Sequence, residues 1–266
     1  GIDNFPYRAR RIAGSWLAHL IAGGDPGTSL RVYAWVNLGA WYALAAVLWL
    51  LLPVGNWRHT LAWSVMLFSA GALHSVRFAL ADLPALTFIA AALLAHTRGR
   101  LAWTAALLAL ATLSRETSLL AAAALALHCW INRQRIAAGI IIVAAGLPLA
   151  LWLRYVEAMV GPNDGGWSNL GWPVLGLLEK WRDSVQLLFT EPNTSLAVTS
   201  LLAVAGLTVA AAFLVRHRRF TDAVWLVGAA YGGLMLTLNT AVWEGFPGAA
   251  TRVLLPVHLY GQPADL

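Results

Sequence analysis

The sequence predicts an all-α protein, a polytopic transmembrane bundle of about eight or nine spans with one further helix lying in the membrane interface. Of its 266 residues, 59% are hydrophobic and only 11% are charged, whereas soluble domains carry about 25% charged residues. The mean hydropathy is +0.67, and the charges punctuate long apolar runs. This composition excludes a soluble enzyme and a disordered chain. It also excludes a nucleic-acid-binding protein, because the net charge of +6 forms no continuous basic stripe.

Stretches that contain no Asp, Glu, Lys or Arg mark the predicted helices. A straight span needs about 20 apolar residues, and four stretches meet that length comfortably: 32–57, 136–153, 192–215 and 223–243. Three stretches are short, 83–97, 101–114 and 117–132, and two further charge-free stretches are 59–76 and 253–264. Helices this short cross the hydrocarbon only if their charged ends lie below the membrane surface, lined by protein or water. The pattern therefore predicts a cavity cut into one membrane face.

Short loops rich in arginine predict the orientation. If every charge-free stretch is one span, these loops share one side, which the positive-inside rule makes cytoplasmic. They hold Arg58; Arg98 and Arg100; Arg133 and Arg135; Arg216, Arg218 and Arg219. An alternative remains open, in which 101–131 is a single helix with Arg115 and Glu116 at its middle. That arrangement would divide the basic loops between the two sides.

The whole of 1–266 is predicted to be one integral membrane domain. Residues 1–30 are expected to belong to the first extracytoplasmic loop, in which 11–22 forms the interfacial helix because its apolar residues share one face. Residues 156–193 are expected to form a further extracytoplasmic loop. The chain opens without Met, and a new apolar run starts at Val253. These features predict an internal fragment of a longer membrane protein.

Ionisable residues on the predicted extracytoplasmic face are the candidates for chemistry, because charges held at membrane depth usually mark a substrate or ion path. Arginine forks suit phosphate, and carboxylates beside them suit proton abstraction or a metal ion. The candidates gather at four places: His74, Arg77 and Asp82; Arg115 and Glu116; Arg252; and Arg8, Arg10 and Arg11.

Simpler roles remain open for these residues. Asp82 would serve as a helix cap, Arg115 and Glu116 would neutralise each other at a turn, and the N-terminal arginines would contact lipid headgroups. The histidines show no spacing typical of metal ligands, so no metal site is predicted, and His96 is assigned to the interface. The single cysteine, Cys129, permits no internal disulfide.

Several runs resemble landmarks of the bacterial GT-C glycosyltransferases, relatives of the protein O-mannosyltransferases and the lipid A aminoarabinose transferases. Residues 3–12 (DNFPYRARRI) are similar to part of the first extracytoplasmic loop of that superfamily. Asp82-Leu83-Pro84, the run 113–117 (LSRET) and the run 252–256 (RVLLP) are similar to later landmarks. The resemblance extends from residue 3 to about residue 256.

The resemblance implies a glycosyltransferase of the bacterial inner membrane, which moves a sugar from a polyprenyl-phosphate donor to a glycan, lipid or protein acceptor outside. It also implies an acidic base in the first outer loop, where Asp3 is the acid that this chain contains. Asp82 and Glu116 would be further catalytic acids that orient the acceptor, the arginines or a divalent cation, and Asp82 is expected to be the more sensitive to loss of charge. The lipid phosphate would be bound by Arg77, Arg115, Arg252, Arg8 and Arg11.

A transporter or flippase of lipid-linked sugars is the alternative function. It would use the same arginines to bind phosphate without breaking a bond. Transporters often show internal repeats and helices broken at midplane. In this chain no repeat is evident and the charges gather at one predicted face, which favours the enzyme.

Overall fold

The computed structural model describes residues 9–51, 57–161, 169–190, 194–244 and 249–260, and in these ranges the protein is all-α, as predicted. The helices are α1 Ile12–Ile21, α2 Pro26–Leu51, α3 Trp57–Leu67, α4 Ala70–Arg77, α5 Asp82–Thr97, α6 Leu101–Ser114, α7 Leu119–Ile131, α8 Arg135–Val160, α9 Leu175–Thr190, α10 Thr194–Arg216, α11 Ala223–Thr237, α12 Thr240–Trp243 and α13 Ala250–Val253. Two 3-10 segments cover Glu116–Ser118 and Leu255–Tyr260. An isolated β-bridge joins Leu170 to Leu238.

Three helices of the described chain are long and apolar enough to cross a membrane. Helices α2, α8 and α10 have 26, 26 and 23 residues. Helices α5, α6, α7 and α11 have only 16, 14, 13 and 15 residues, below the roughly 20 that a straight span needs. Length and composition therefore identify three spans, fewer than the eight or nine predicted. The short helices themselves coincide with the short charge-free stretches.

Helix α5 lies at the centre of the bundle. Alanine and leucine occupy all its sides, and a helix that is apolar all round is stable only when buried. Eleven of its 16 residues are buried, and it packs against α2 and α6. The Oγ1 of Thr87 donates a hydrogen bond to the carbonyl of Ala40 in α2 at 3.0 Å. Because its neighbours shield α5, Asp82 at its start is buried, whereas Arg98 directly after its end is exposed.

Helices α6 and α7 form a hairpin. The backbone of Arg115 is extended, with φ −158° and ψ 127°, and it ends α6. Leu101 at the start of α6 and Asn132 just after α7 line the same cavity, whereas a continuous helix over 101–131 would hold its ends about 45 Å apart. The alternative of a single helix with Arg115 at its middle is therefore wrong.

The segments outside this centre are also helical. Helix α1 packs on α2 and α6, yet Trp16 and Ile21 are 57% and 61% exposed. Within 156–193, α8 continues to Val160 and α9 follows, so much of the expected loop is helix. The hydroxyls of Ser184 in α9 and Ser200 in α10 lie 3.0 Å apart and connect the two helices.

Candidate functional site

Charged residues from several segments meet where α5 begins. We call Arg115–Ser118, the turn between α6 and α7, the arginine corner. Arg115 forms a salt bridge with Asp82 in the first turn of α5, and the two side chains are 10% and 2% exposed. The Nε of Arg115 donates a hydrogen bond to the Oγ1 of Thr117 at 3.1 Å. The pair therefore ties the arginine corner to the central helix.

Three further contacts hold the arginine corner in place. The buried Tyr231 of α11 donates its hydroxyl hydrogen to the carbonyl of Thr117 at 3.0 Å. Arg10 lies 3.8 Å from the carboxylate of Glu116, and their side chains are 16% and 25% exposed. Trp152 Nε1 donates to the carbonyl of Ala9 at 2.9 Å. The segment before α1 is thereby held between α8 and the corner.

These contacts decide between the simpler roles considered from the sequence. Ala81 occupies the N-cap position of α5, and the carboxylate of Asp82 contacts Arg115. Glu116 contacts Arg10. The two acids therefore interact with partners far away in sequence. The roles of helix cap for Asp82 and of mutual neutralisation for Arg115 and Glu116 do not describe the arrangement.

A second charged group lies on α4 and α13, outside the three long apolar helices. Burial lowers the pKa of His74, and the positive charges of Arg252 and Arg77 lower this pKa further. The charges of both arginines thus act on one imidazole, and together with its burial they favour the neutral form of His74. Helices α4 and α13 approach closely at Gly71, where a Cβ would overlap the backbone of Thr251. We call His74, Arg77 and Arg252 the basic group.

A tight turn connects the basic group to the ion pair of α5. Ala79 has φ +47°, a left-handed conformation that is uncommon outside glycine. The amide of Leu80 donates to the carbonyl of Ser75 at 2.9 Å and closes the turn. Only four residues separate Arg77 from Asp82. The basic group and the Asp82–Arg115 pair therefore flank the same turn.

An apolar groove of about 650 Å³ lies between α3–α4 and α10. Its walls include Phe68, Leu73 and Leu202, and Gly71 and Thr251 also line it. The groove therefore passes the close contact of α4 with α13, beside the basic group. Its lining residues Leu73 and Thr251 adjoin His74 and Arg252 in the sequence.

The residues predicted as a site are thus only partly gathered. The charges of Arg77 and Arg252 both act on His74, whereas Arg115 forms its salt bridge with Asp82. Arg11 precedes α1 at its N-cap and lies near Tyr33 of α2. Asp3 and Arg8 lie outside the described residues.

Two features were missed from the sequence. One is Tyr231, whose hydroxyl holds the arginine corner. The other is a cluster of His96, His128 and Cys129 at the opposite end of α5. The predicted topology contained a signal for this cluster. It placed loops 98–100 and 132–135 on one side of the membrane, which brings the last turns of α5 and α7 to the same end of the bundle. Ligand spacing within a single segment does not reveal this cluster, because its side chains come from two helices.

Comparisons of the chain with protein-family models, with curated proteins and with solved structures each give no match.

Proposed function

We propose that this protein is a GT-C-like membrane glycosyltransferase, which moves a sugar from a polyprenyl-phosphate carrier to an acceptor. The observation that supports the proposal is the apolar groove that lies beside the basic group of His74, Arg77 and Arg252. A polyprenyl phosphate needs a channel for its tail and guanidinium groups for its head. In this proposal the end of the bundle with the arginine corner faces the extracytoplasmic side of the bacterial inner membrane.

The accessible residues of this end receive the chemical roles. Arg77 is exposed and Arg252 half-buried, so both can bind the donor phosphate. Glu116 is 25% exposed and its contact with Arg10 is long, at 3.8 Å. Its Oε1 is buried, so an acceptor hydroxyl would approach the other oxygen of the carboxylate. Asp82 is only 2% exposed and serves to position Arg115.

The N-terminal candidates keep supporting roles in the proposal. Arg8 and Arg11 would contribute positive charge near the lipid headgroup, and Asp3 is a second carboxylate for the base. Exposed Trp16 and Ile21 on α1 suit a helix that lies in the interface with its apolar side toward lipid.

The proposed reaction is a displacement at the anomeric carbon. The carboxylate of Glu116 takes the proton of the acceptor hydroxyl while the acceptor oxygen attacks. The bond between the anomeric carbon and the phosphate oxygen breaks, and the lipid phosphate leaves with that electron pair. Arg77 and Arg252 stabilise the charge that develops on the leaving phosphate. Attack from the face opposite the phosphate gives inversion.

The short helices are part of the same proposal. If α5, α6, α7 and α11 also lie in the membrane, the count approaches the eight or nine spans predicted. Their charged ends would then lie below the membrane surface, where only protein or water can surround them. The buried salt bridge between Asp82 and Arg115 meets this requirement, because each charge has its partner inside the protein.

The test is sugar transfer by the protein reconstituted in liposomes with a polyprenyl-phosphate donor that carries a labelled hexose. We expect the labelled sugar to be released from the carrier to an acceptor or, more slowly, to water. The variants Arg77→Gln and Arg252→Gln should each lose about 10-fold or more of the rate. Arg98→Gln, an exposed arginine at the other end of α5, is the matched control. Loss of equal size in the control variant would contradict the proposed phosphate site.

The same experiment separates the enzyme from a flippase. A flippase would move the labelled carrier to the other leaflet with the sugar still attached, and no free polyprenyl phosphate would form. Movement without cleavage would therefore overturn the proposal in favour of transport.

Orientation is tested by cysteine labelling in a Cys129→Ala background. Single cysteines at Arg98 and Ala158, both exposed, should react with an impermeant thiol reagent from opposite sides of the membrane. Ala158 should react from outside. Labelling of both positions from one side would contradict the proposed topology.

A further inference from the structure

The last turns of α5 and α7 bring together three side chains that bind metals well. His96 belongs to α5, and His128 and Cys129 belong to α7. The Nε2 of His96 lies 3.0 Å from the Nδ1 of His128. These nitrogens and the Sγ of Cys129 all lie within 4.8 Å of one another.

The protonation of His128 follows from its contacts. Its Nε2 lies 3.0 Å from the carbonyl oxygen of Thr221, and a carbonyl can only accept a hydrogen bond. The Nδ2 of Asn132 also lies 3.2 Å from this nitrogen, but it donates a hydrogen bond to the carbonyl of His128 at 2.9 Å. We therefore assign the hydrogen to the Nε2 of His128 and the lone pair to its Nδ1, toward His96. Metal-binding histidines typically donate the other ring N–H to a carbonyl or carboxylate in this way, which fixes the tautomer.

The distances suit a tetrahedral ion. With bonds of about 2.0 Å to nitrogen and 2.3 Å to sulfur, ligand atoms around tetrahedral zinc lie about 3.3–3.6 Å apart. The observed separations, from 3.0 Å between the nitrogens to at most 4.8 Å across the cluster, bracket that spacing. Rotamer shifts of about an ångström bring the three atoms to ligand distance.

The cluster opens into a cavity of about 790 Å³. Asp222 and Asn132 also line this cavity, and Asp222 caps α11 by accepting hydrogen bonds from the amides of Val224 and Trp225 at 2.7 and 3.2 Å. A fourth coordination position thus faces a space that admits water. The neighbouring loops carry arginines, whose positive charge repels a cation. A hard ion such as Mg²⁺ or Ca²⁺, which is bound mainly by electrostatic attraction, is therefore disfavoured here.

We propose that His96, His128 and Cys129 bind a thiophilic transition-metal ion of the Zn²⁺ class at this end of the bundle. Imidazole and thiolate ligands favour Zn²⁺ over Mg²⁺ or Ca²⁺. On binding, the thiol of Cys129 releases one proton to solvent, and the Nε2 hydrogen of His96 moves to its Nδ1 by way of water. The ion ties α5, α7 and the 217–222 connection together. It lies about 21 Å along α5 from Asp82, so it is independent of the sugar-transfer proposal.

The first test uses Co²⁺ as a spectroscopic substitute for Zn²⁺ on the purified protein in detergent. After treatment with a chelator, one equivalent of Co²⁺ should produce a thiolate-to-cobalt charge-transfer band, which Zn²⁺ then displaces. This measurement needs no variant and reads no catalytic activity. Absence of the band at one equivalent would overturn the proposal, because the chain has a single cysteine.

The second test compares Zn²⁺ affinity among variants by competition with a chromophoric chelator. His96→Gln and Cys129→Ala should each weaken binding by about 100-fold or more, since loss of even an outer-shell partner costs about 10–100-fold. His19→Gln, an exposed histidine of α1, should bind as the wild type does. Equal affinity in all three variants would mean that the two histidines form only a hydrogen bond between helices.

A third measurement guards against variants that fail to fold. Zn²⁺ should raise the Tm of the wild-type protein by several degrees, because a ligand that binds only the folded state stabilises it. The chelator should reverse this rise. An unchanged Tm at saturating Zn²⁺ would show that no folded-state site exists.

Discussion

The buried ion pair between Asp82 and Arg115 predicts a large energetic coupling between two distant parts of the sequence. The side chains are 2% and 10% exposed, so removal of either leaves the other as an uncompensated buried charge. Such a loss typically costs about 3–5 kcal/mol. We therefore expect Asp82→Leu and Arg115→Met each to lower the free energy of unfolding by that amount.

The double variant separates the interaction energy of the two side chains from the effect of removing each one alone. Replacement of a whole buried ion pair by apolar side chains is often neutral or stabilising. The Asp82→Leu/Arg115→Met variant should thus lie closer to the wild type than either single variant, with a coupling energy of about 3 kcal/mol or more. Unfolding in mixed micelles, followed by tryptophan fluorescence, gives the four free energies.

Arg10 and Glu116 provide a matched control at the same end of the bundle. Their atoms are 3.8 Å apart and their side chains 16% and 25% exposed, so their coupling should stay below about 1 kcal/mol. If both cycles give the same small coupling, the argument that burial makes the first pair strong is wrong.

Substitutions at the two acids also distinguish the catalytic role of Glu116 from the positioning role of Asp82. Glu116→Gln should lower sugar transfer by about 100-fold or more at a matched level of folded protein, the usual range for loss of a general base. The Asp82→Leu/Arg115→Met variant should lose less. This order reverses the expectation from the sequence, which favoured Asp82, because the side chain of Asp82 is 2% exposed and that of Glu116 is 25% exposed.

Three smaller predictions follow from single contacts. Tyr231→Phe should lower the free energy of unfolding by about 1 kcal/mol, since it leaves the half-buried carbonyl of Thr117 without its donor. The substitution of an exposed tyrosine, Tyr155→Phe, should have no effect on chemical unfolding. Gly71→Ala should cost about 1–3 kcal/mol by overlap with the backbone of α13 and weaken polyprenyl-phosphate binding, whereas Gly146→Ala, with open space around it, should not destabilise. The folded-state pKa of His74 is lowered, so the unfolded chain takes up protons first as pH falls below about 6.5. The wild type should therefore lose more Tm than His74→Gln between about pH 7.5 and pH 5.5, and equal losses would contradict the lowered pKa.

Much of the fold was predictable from the positions of charge. The charge-free stretches 83–97 and 101–114 coincide closely with α5 and α6, because a helix packed in apolar surroundings excludes charge along its whole length. The stretch 59–76 illustrates the limit. Ser69 accepts a hydrogen bond from the amide of Ala72 and caps α4 there, so one charge-free run holds two helices. A serine cap carries no charge and leaves such a pattern unbroken.

The candidate site was less predictable, because its partners come from distant segments. The sequence placed Asp82, Arg115 and Glu116 at one end of the bundle, and the structure brings them together there. The sequence could not identify their partners, since Arg115 interacts with α5 whereas its neighbour Glu116 interacts with the segment before α1. That choice depends on the extended backbone at Arg115, which directs successive side chains to different sides.

The shortness of α5 and α7 connects both ends of the bundle. A helix of 16 or 13 residues is about 20–24 Å long, less than the hydrocarbon thickness of about 30 Å. In a membrane, such helices cannot have both ends at the surface, so polar groups at either end need partners from the protein. At one end Asp82 and Arg115 provide them for each other. At the other end, the partners are His96, His128 and the carbonyl of Thr221. A metal ion there would replace the hydrogen bond between the two histidines with metal–ligand bonds. It would hold the ends of α5 and α7 together more strongly, with no change in the length of either helix.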